Sequence, residues 1–354
     1  MRTESKEFLY KLLNTPSPTG YEQRIQKVVR KRMERYADLI ETDLHGNVIV
    51  GLNVKSPKRV MLTGHCDQIG LMVTYIADDG FIYVAALGGI DPGVLPGSVV
   101  SIHTERGALE GVIGRKPIHL QNGDEKGRGV TEVAKVWVDI GAKNKKEADK
   151  LVRIGDPITF KLGVSELRNG LICSPGLDDK AGLFVVMEAL RLCAKAKLAV
   201  ALYAVSTVQE EVGLRGARTA AYGIDPQVGI GVDVTFTDDN PGKGANKGVP
   251  IKLGGGPVIT RGPNINPVVE KMLIDSAKRL KVKYQLEPSA ALLGNDANAI
   301  QVSRRGVAAA SVEVPNRYMH SQVEVCSLSD MENASKLLAG FVQKISARSD
   351  FTPR

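Results

Sequence analysis

The chain has little cysteine. Its 354 residues include four, Cys66, Cys173, Cys193 and Cys326, and no two stand in a CxxC pair or at zinc-ribbon spacing. A thiolate zinc site and a disulfide framework are therefore excluded, leaving reduced, mostly buried thiols as the expectation. No uninterrupted apolar run reaches membrane-spanning length. The opening stretch MRTESKEFLYKLLN carries charges where a signal peptide needs its apolar segment. A cytoplasmic protein with no membrane partner is the expectation. A concentrated charge of one sign is missing too. Lys plus Arg number 47 against 39 Asp plus Glu, a net +8, but the basic residues are dispersed. The densest run, VVRKRMER (28–35), reads as one solvated face of an amphipathic helix, and no aromatic-interleaved basic patch accompanies it. Nucleic acid is not an expected partner. Internal repeats and low-complexity segments are absent as well.

What remains is the composition of an ordinary soluble protein, 43% hydrophobic and 24% charged. The length suits two domains. Beyond residue 165, apolar runs such as AVALYAVSTV, VGIGVDVTF and VAAASVEV alternate with helical patterns. Those patterns include DKAGLFVVMEALRLCAKA, NPVVEKMLIDSAKRLK and SDMENASKLLAGFVQKIS. Such alternation predicts an α/β sheet with parallel stretches and helices on both faces. RVMLTG (59–64) belongs to the same sheet, and Thr19 with Glu22 forms a candidate capping box before a helix. The stretch from about 70 to 165 differs. Short β-like runs punctuated by Gly and Pro, as in GGIDPGVLPG, predict an all-β module inserted into the α/β domain, with one short charged helix near KNKKEADKLV. The expected division is 1–69 with 166–354 as the catalytic unit and 70–165 as the insert.

Acidic and imidazole groups recur at the ends of the expected strands. LTGHCDQIG carries His65 and Asp67, SPGLDDKAG carries Asp178 and Asp179, VQEEVG carries Glu210 and Glu211, GVDVTF carries Asp233, and RYMHSQVEV carries His320. Each pattern alone is ordinary: a DD before a helix is usually a cap, and an EE pair a solvated strand end. Five strand ends bearing only carboxylates and imidazoles would, however, crowd like charges into one crevice. Divalent cations relieve that repulsion, and an O/N donor set without thiolate suits zinc, cobalt or manganese. One glutamate of the 210–211 pair can bind metal while its neighbour stays free as a general base, provided the turn at Gly213 lets both reach the cleft.

The ordered motifs TGHCDQIGLMV, GGIDPGVLPG, GLDDKAG, VQEEVGLRGA, DVTFTDDNPG, KLGGGPVI and RYMHSQVEV resemble the M42 family of metallo-aminopeptidases, which includes the tetrahedral (TET) aminopeptidases. The resemblance spans almost the whole chain. It implies a mixed-sheet αβα sandwich of the dinuclear zinc-peptidase type, with an inserted barrel or PDZ-like domain for dimerisation. By motif position it implies two divalent ions per subunit. His65, Asp178 and Asp233 would hold one ion and Asp178, Glu211 and His320 the other, with Glu210 as base and a cis Asp178–Asp179 peptide. Asp67 is similar to the family's carboxylate that hydrogen-bonds the His65 ring. Where many members have Glu and Pro, this chain has Gln68 and Gln322, positions that bear on substrate preference rather than chemistry. The resemblance further implies peptide substrates and dimers that assemble into a dodecamer. Asp296, in LGNDANAI, is a candidate wall for the substrate's amine, or simply a helix cap. No ligand falls inside the 70–165 module, so an assembly role is expected of it.

Two other readings stay open on the sequence. One is a related dinuclear hydrolase, a carboxypeptidase or an N-acyl amino acid deacylase. The other is a non-catalytic metal-binding assembly protein, against which an intact Glu210 argues. A two-carboxylate glycosidase is disfavoured, because adjacent carboxylates sharing a metal are poorly placed to flank a sugar.

Overall fold

The computed structural model describes residues 1–122, 129–241 and 250–354. Gly242, the last residue of the DVTFTDDNPG motif, lies outside these residues. Four near-continuous apolar runs, Arg59–His65, Ala201–Thr207, Val228–Phe236 and Ala308–Arg317, form the parallel centre of an 11-stranded mixed sheet. Val48–Leu52 pairs antiparallel with Ala201–Thr207, and Val258–Arg261 and Val325–Ser327 pair antiparallel with Ala308–Arg317. Strands buried on both faces are expected to lack polar alternation, and these do.

Helices cover both faces, which makes the expected αβα sandwich. Val60 and Leu62 point into the larger core, under helices Thr3–Leu13, Leu177–Cys193, Pro267–Leu280 and Leu328–Lys344. Met61, between them, points into a second cluster built with helices Arg215–Ile224 and Asp296–Gln301. The parallel strands all point one way, so their carboxyl ends open on a single edge, where open α/β sheets place their sites. One close approach fixes that edge. A Cβ at Gly64 would lie 2.5 Å from the Leu183 nitrogen and 2.6 Å from the Gly182 carbonyl carbon. Only glycine lets the Leu177–Cys193 helix start directly over the strand that ends in His65.

The chain between Gly70 and Phe160 supplies six antiparallel strands that close into a barrel. The barrel has its own core, including Leu71, Val73, Ile82, Val100, Ile102, Val138, Ile158 and Phe160. The short helix foreseen near KNKKEADKLV is Lys145–Ala148. No helix among the described residues is long and apolar enough to cross a membrane. All four cysteines are free, and Cys66, Cys193 and Cys326 are buried. The basic run lies on helix Gln23–Met33, but Arg32 turns inward to Glu188, 3.1 Å away.

One local expectation fails. Thr19 and Glu22 form no capping box: Thr19 Oγ1 is buried without a partner, and Glu22 is itself the residue before the helix. The Glu22 carboxylate is taken by the N–H groups of Gly20 (2.6 Å) and Gln209 (3.2 Å), tying this turn to the chain just before Glu210.

Candidate metal centre

The strand Ala201–Thr207 ends before the glutamate pair, and Gln209 then adopts a left-handed φ of 54°. The turn thus begins four residues earlier than Gly213, whose φ is 115°. Asp67 holds the result: its carboxylate accepts the N–H of Glu210 at 3.0 Å and that of Glu211 at 3.2 Å. Both glutamate side chains line the same cavity, of about 560 Å³, together with Asp178, Asp233 and His320. The neighbouring carboxylates of VQEEVG therefore share a cleft because no strand separates them.

Asp178 sits at the centre. Its Oδ1 lies 3.1 Å from His65 Nε2, and its Oδ2 lies 3.2 Å from His320 Nε2. Asp233 stands 3.9 Å from His65 Nε2, and Glu211 stands 3.9 Å from His320 Nε2. Two groups able to hold a cation result, His65–Asp178–Asp233 and Asp178–Glu211–His320, each with its ligand atoms within 4.8 Å of one another. Asp178 belongs to both. The Asp178–Asp179 peptide is cis, as the resemblance implies.

The tautomers of both imidazoles follow from main-chain carbonyls, which can only accept. His65 Nδ1–H donates to the Asp67 carbonyl (3.0 Å), and His320 Nδ1–H donates to the Gly89 carbonyl (2.5 Å). Each Nε2 is then a lone pair aimed at carboxylate oxygens, an arrangement that calls for a cation between them. The Asp67 carboxylate is farther from the His65 ring, at 3.5 Å, so its hydrogen bonds serve the glutamate pair and its carbonyl serves the ring.

Electrostatics point the same way. Burial, then the neighbouring carboxylates, pushes Glu210 up to about 9 and moves Glu211 and Asp233 well above the usual carboxylate range. Burial also pushes Asp178 up, but hydrogen bonds to His320 and His65 outweigh it and leave Asp178 low. Burial lowers His65, yet Glu210, Asp178 and Asp67 together raise it well above its ordinary value. Glu211 Oε1 is buried with no hydrogen-bond partner. Buried carboxylates in this state are destabilised unless a positive charge pairs with them. The donor set fits divalent cations.

Several supporting contacts carried no sequence signal of their own. Glu324, buried, accepts the Asp178 N–H at 2.8 Å and the His320 N–H at 3.2 Å, joining two of the metal-group backbones. Asp179 accepts the His65 N–H at 3.1 Å. Gly89 comes from the barrel segment, so the inserted module does reach the centre, through its backbone. Crowding explains the residue type there: a Cβ on Gly88 would lie 3.1 Å from Glu211 Oε2, and one on Gly89 would lie 3.4 Å from the His320 ring. Asp296 is not part of the cavity wall. It is 2% exposed, bonded to Thr207 Oγ1 at 2.7 Å, and the cap of its helix is Asn295. Gln68 accepts a hydrogen bond from Lys180 Nζ, a fully buried ammonium whose pKa burial lowers to about 7. Gln322 is half-buried and belongs to neither metal group.

The model of the M42 glutamyl aminopeptidase family matches residues 46–337. A lysyl aminopeptidase from Pyrococcus furiosus is 39% identical over 98% of this chain and 99% of its own. The TET aminopeptidase of the marine sediment archaeon Thaumarchaeota archaeon SCGC AB-539-E09 superposes with a TM-score of 0.92 at 32% identity, covering 97% of each chain. A TET peptidase of Pyrococcus horikoshii, which can assemble into a tetrahedron or a large octahedral shell, superposes at 0.84 with 31% identity over 96% of this chain and 100% of that one. The fold, the clustered carboxylates and imidazoles and these matches agree: the chain belongs to the M42 glutamyl aminopeptidase family and is a metallo-aminopeptidase.

Proposed function

We propose that the protein removes N-terminal residues from short peptides at a centre of two divalent cations, with Glu210 as general base. The observation that carries this reading is Asp178, which turns one oxygen to each histidine and so belongs to both cation groups. His65, Asp178 and Asp233 would hold one ion, and Asp178, Glu211 and His320 the other. Zinc fits the donor set, as do cobalt and manganese. Bound in such a pair, the ions supply Lewis acidity, lowering the pKa of water and polarising the peptide carbonyl.

The chain's own groups do the rest. Glu210 belongs to neither cation group, lines the cavity and has Oε2 3.8 Å from His65 Nε2. It takes the proton from the attacking water and returns it to the leaving amine. To accept that proton Glu210 must be ionised, and cations bound beside it would draw its pKa back down from the raised value that burial gives it. Asp67 fixes Glu210 by gripping its N–H, and Glu324 and Asp179 hold the ligand backbones in place.

Aminoacyl-p-nitroanilides assayed with zinc, cobalt and manganese test the reaction. Free-amine substrates are cleaved and N-acetylated ones are not. Cleavage of blocked substrates would instead indicate a deacylase, and release of C-terminal residues a carboxypeptidase. We further propose that the barrel, as module 70–165, mediates dimers that build a dodecamer enclosing the active sites. Light scattering then gives about twelve times the 38.1 kDa chain mass. A monomer at micromolar concentration would overturn the assembly reading alone.

A further inference from the structure

The cavity has a second acidic wall that the two cation groups do not use. In the parallel register of Val228–Phe236 and Ala308–Arg317, Glu313 is the partner of Asp233, one strand away from the centre. It lines the same cavity as Phe236, Leu293, Asn295 and Met319. Glu313 is only 6% exposed, and one of its oxygens is fully occupied. Oε1 accepts from Ser311 Oγ at 2.9 Å, Asn295 Nδ2 at 3.1 Å and Thr260 Oγ1 at 3.2 Å. The Glu287 carboxyl, itself held by Thr235 Oγ1 at 2.9 Å, is the hydrogen-bonding neighbour of the Glu313 carboxyl. Neither glutamate forms an ion pair with a Lys or Arg among the described residues. Buried Glu313 and half-buried Glu287 can bond each other only by sharing a proton, and when both are ionised they repel.

We propose that Glu313, backed by Glu287, is the floor of the pocket for the peptide's first side chain and selects a basic residue, lysine or arginine. The inference rests on the aminopeptidase reading above, because it takes the scissile bond to lie beside Glu210. Glu210, Leu293, Phe236, Met319 and Glu313 all line this one cavity. A long cationic side chain suits that lining: its methylene stem would pack on the apolar residues while its head reaches the Glu313 carboxyl. An acidic side chain would add a third negative charge, and a leucine side chain would leave the pair unrelieved.

The first test is a panel of lysyl-, arginyl-, leucyl- and glutamyl-p-nitroanilides with the metal-loaded enzyme. Basic substrates are expected to exceed leucyl in kcat/KM by at least about tenfold, the usual worth of a hydrogen bond to a charged group. Glu313→Gln keeps the shape and the acceptor for Ser311. It should lower the lysyl-to-leucyl ratio of kcat/KM about 10- to 100-fold, and Glu287→Gln should lower it less. A wild-type preference for leucyl or glutamyl substrates would overturn the assignment. So would an equal fall for all substrates in Glu313→Gln, which would mark an anchor for the α-amine or a structural role. Calorimetric binding of free L-lysine against L-leucine reads the pocket without turnover. Lysine preference in a protein that cleaves no substrate would sink the peptidase reading while keeping Glu313 as the group that binds a cationic side chain, whereas cleavage without lysine preference would keep the peptidase reading and overturn this one.

Discussion

Gly64→Ala adds a single methyl at the point where the sheet meets the helix that begins the metal centre. The added carbon would stand 2.5 Å from the Leu183 nitrogen and 2.8 Å from the Gly182 carbonyl oxygen, distances at which backbone must move. Neither side can yield freely. The strand's next residue is His65, and the helix's first turn carries Asp178 and Asp179, which are bonded to Glu324 and to the His65 N–H. Overpacking of this kind costs about 1–3 kcal/mol. At about 2.1 cal/mol/K per residue, the upper figure moves the thermal midpoint of a chain this long by roughly 4 °C. Activity should suffer more, because a displacement near 1 Å at a catalytic centre costs on the order of 10²-fold in rate. Gly163→Ala is the control, since a Cβ there meets nothing within 4 Å and its φ lies outside the left-handed region. Differential scanning calorimetry beside kcat/KM for a free-amine substrate reads both effects. If Gly64→Ala matched Gly163→Ala in midpoint and rate, the claim that this contact positions the site would be refuted.

Three further outcomes follow from other parts of the structure. Glu324→Gln removes the charge that accepts the Asp178 and His320 N–H groups, so metal affinity should fall about 10- to 100-fold in a fluorimetric titration of the apoprotein; unchanged affinity would mean the two bonds are incidental. Chelation should destabilise the fold by exposing the carboxylates to one another, and zinc at 100 times its Kd should restore about 2.7 kcal/mol of apparent stability; a thermal midpoint indifferent to chelator would contradict the charge argument. His103, bonded to Thr159 Oγ1, has its pKa lowered to about 4 by burial, then by Arg24 and Lys180. Because the folded protein resists protonating it, its contribution is present above the ordinary histidine pKa near 6.5 and is lost as pH falls toward 4. His103→Gln should therefore flatten the acid side of the midpoint-versus-pH curve between those values, and an unaltered curve would count against the assignment.

The sequence made the sheet legible because its parallel strands are apolar on both faces and its helices carry a clear period. The candidate cation groups were legible for a related reason: His65 and Asp178 stand in apolar or glycine-rich sequence at element ends, and Asp233 interrupts the apolar strand Val228–Phe236, where a charge needs a purpose. What was hidden depends on folding partners far apart in sequence. Glu324 reads as a strand residue until Asp178 arrives beside it, and Gly89 reads as a turn until its carbonyl meets His320. Asp67 pairs a side chain with one neighbour and a carbonyl with another, a division no spacing encodes. Thr19 and Glu22 have capping-box spacing, yet tertiary contact with Gln209 takes the glutamate. Glu313 was unremarked because alternation in VAAASVEV leaves it one more polar residue on a strand, and only the register with Asp233 brings it to the cavity.

The central claim is that Glu210 moves protons while Glu211 and its companions hold metal. Glu210→Gln, purified beside wild type, tests it by elemental analysis and steady-state kinetics on one preparation. The account predicts wild-type metal content with turnover lowered by roughly 10²–10⁴, the usual worth of a general base. Loss of metal from Glu210→Gln, or turnover at the wild-type level with metal retained, would contradict it.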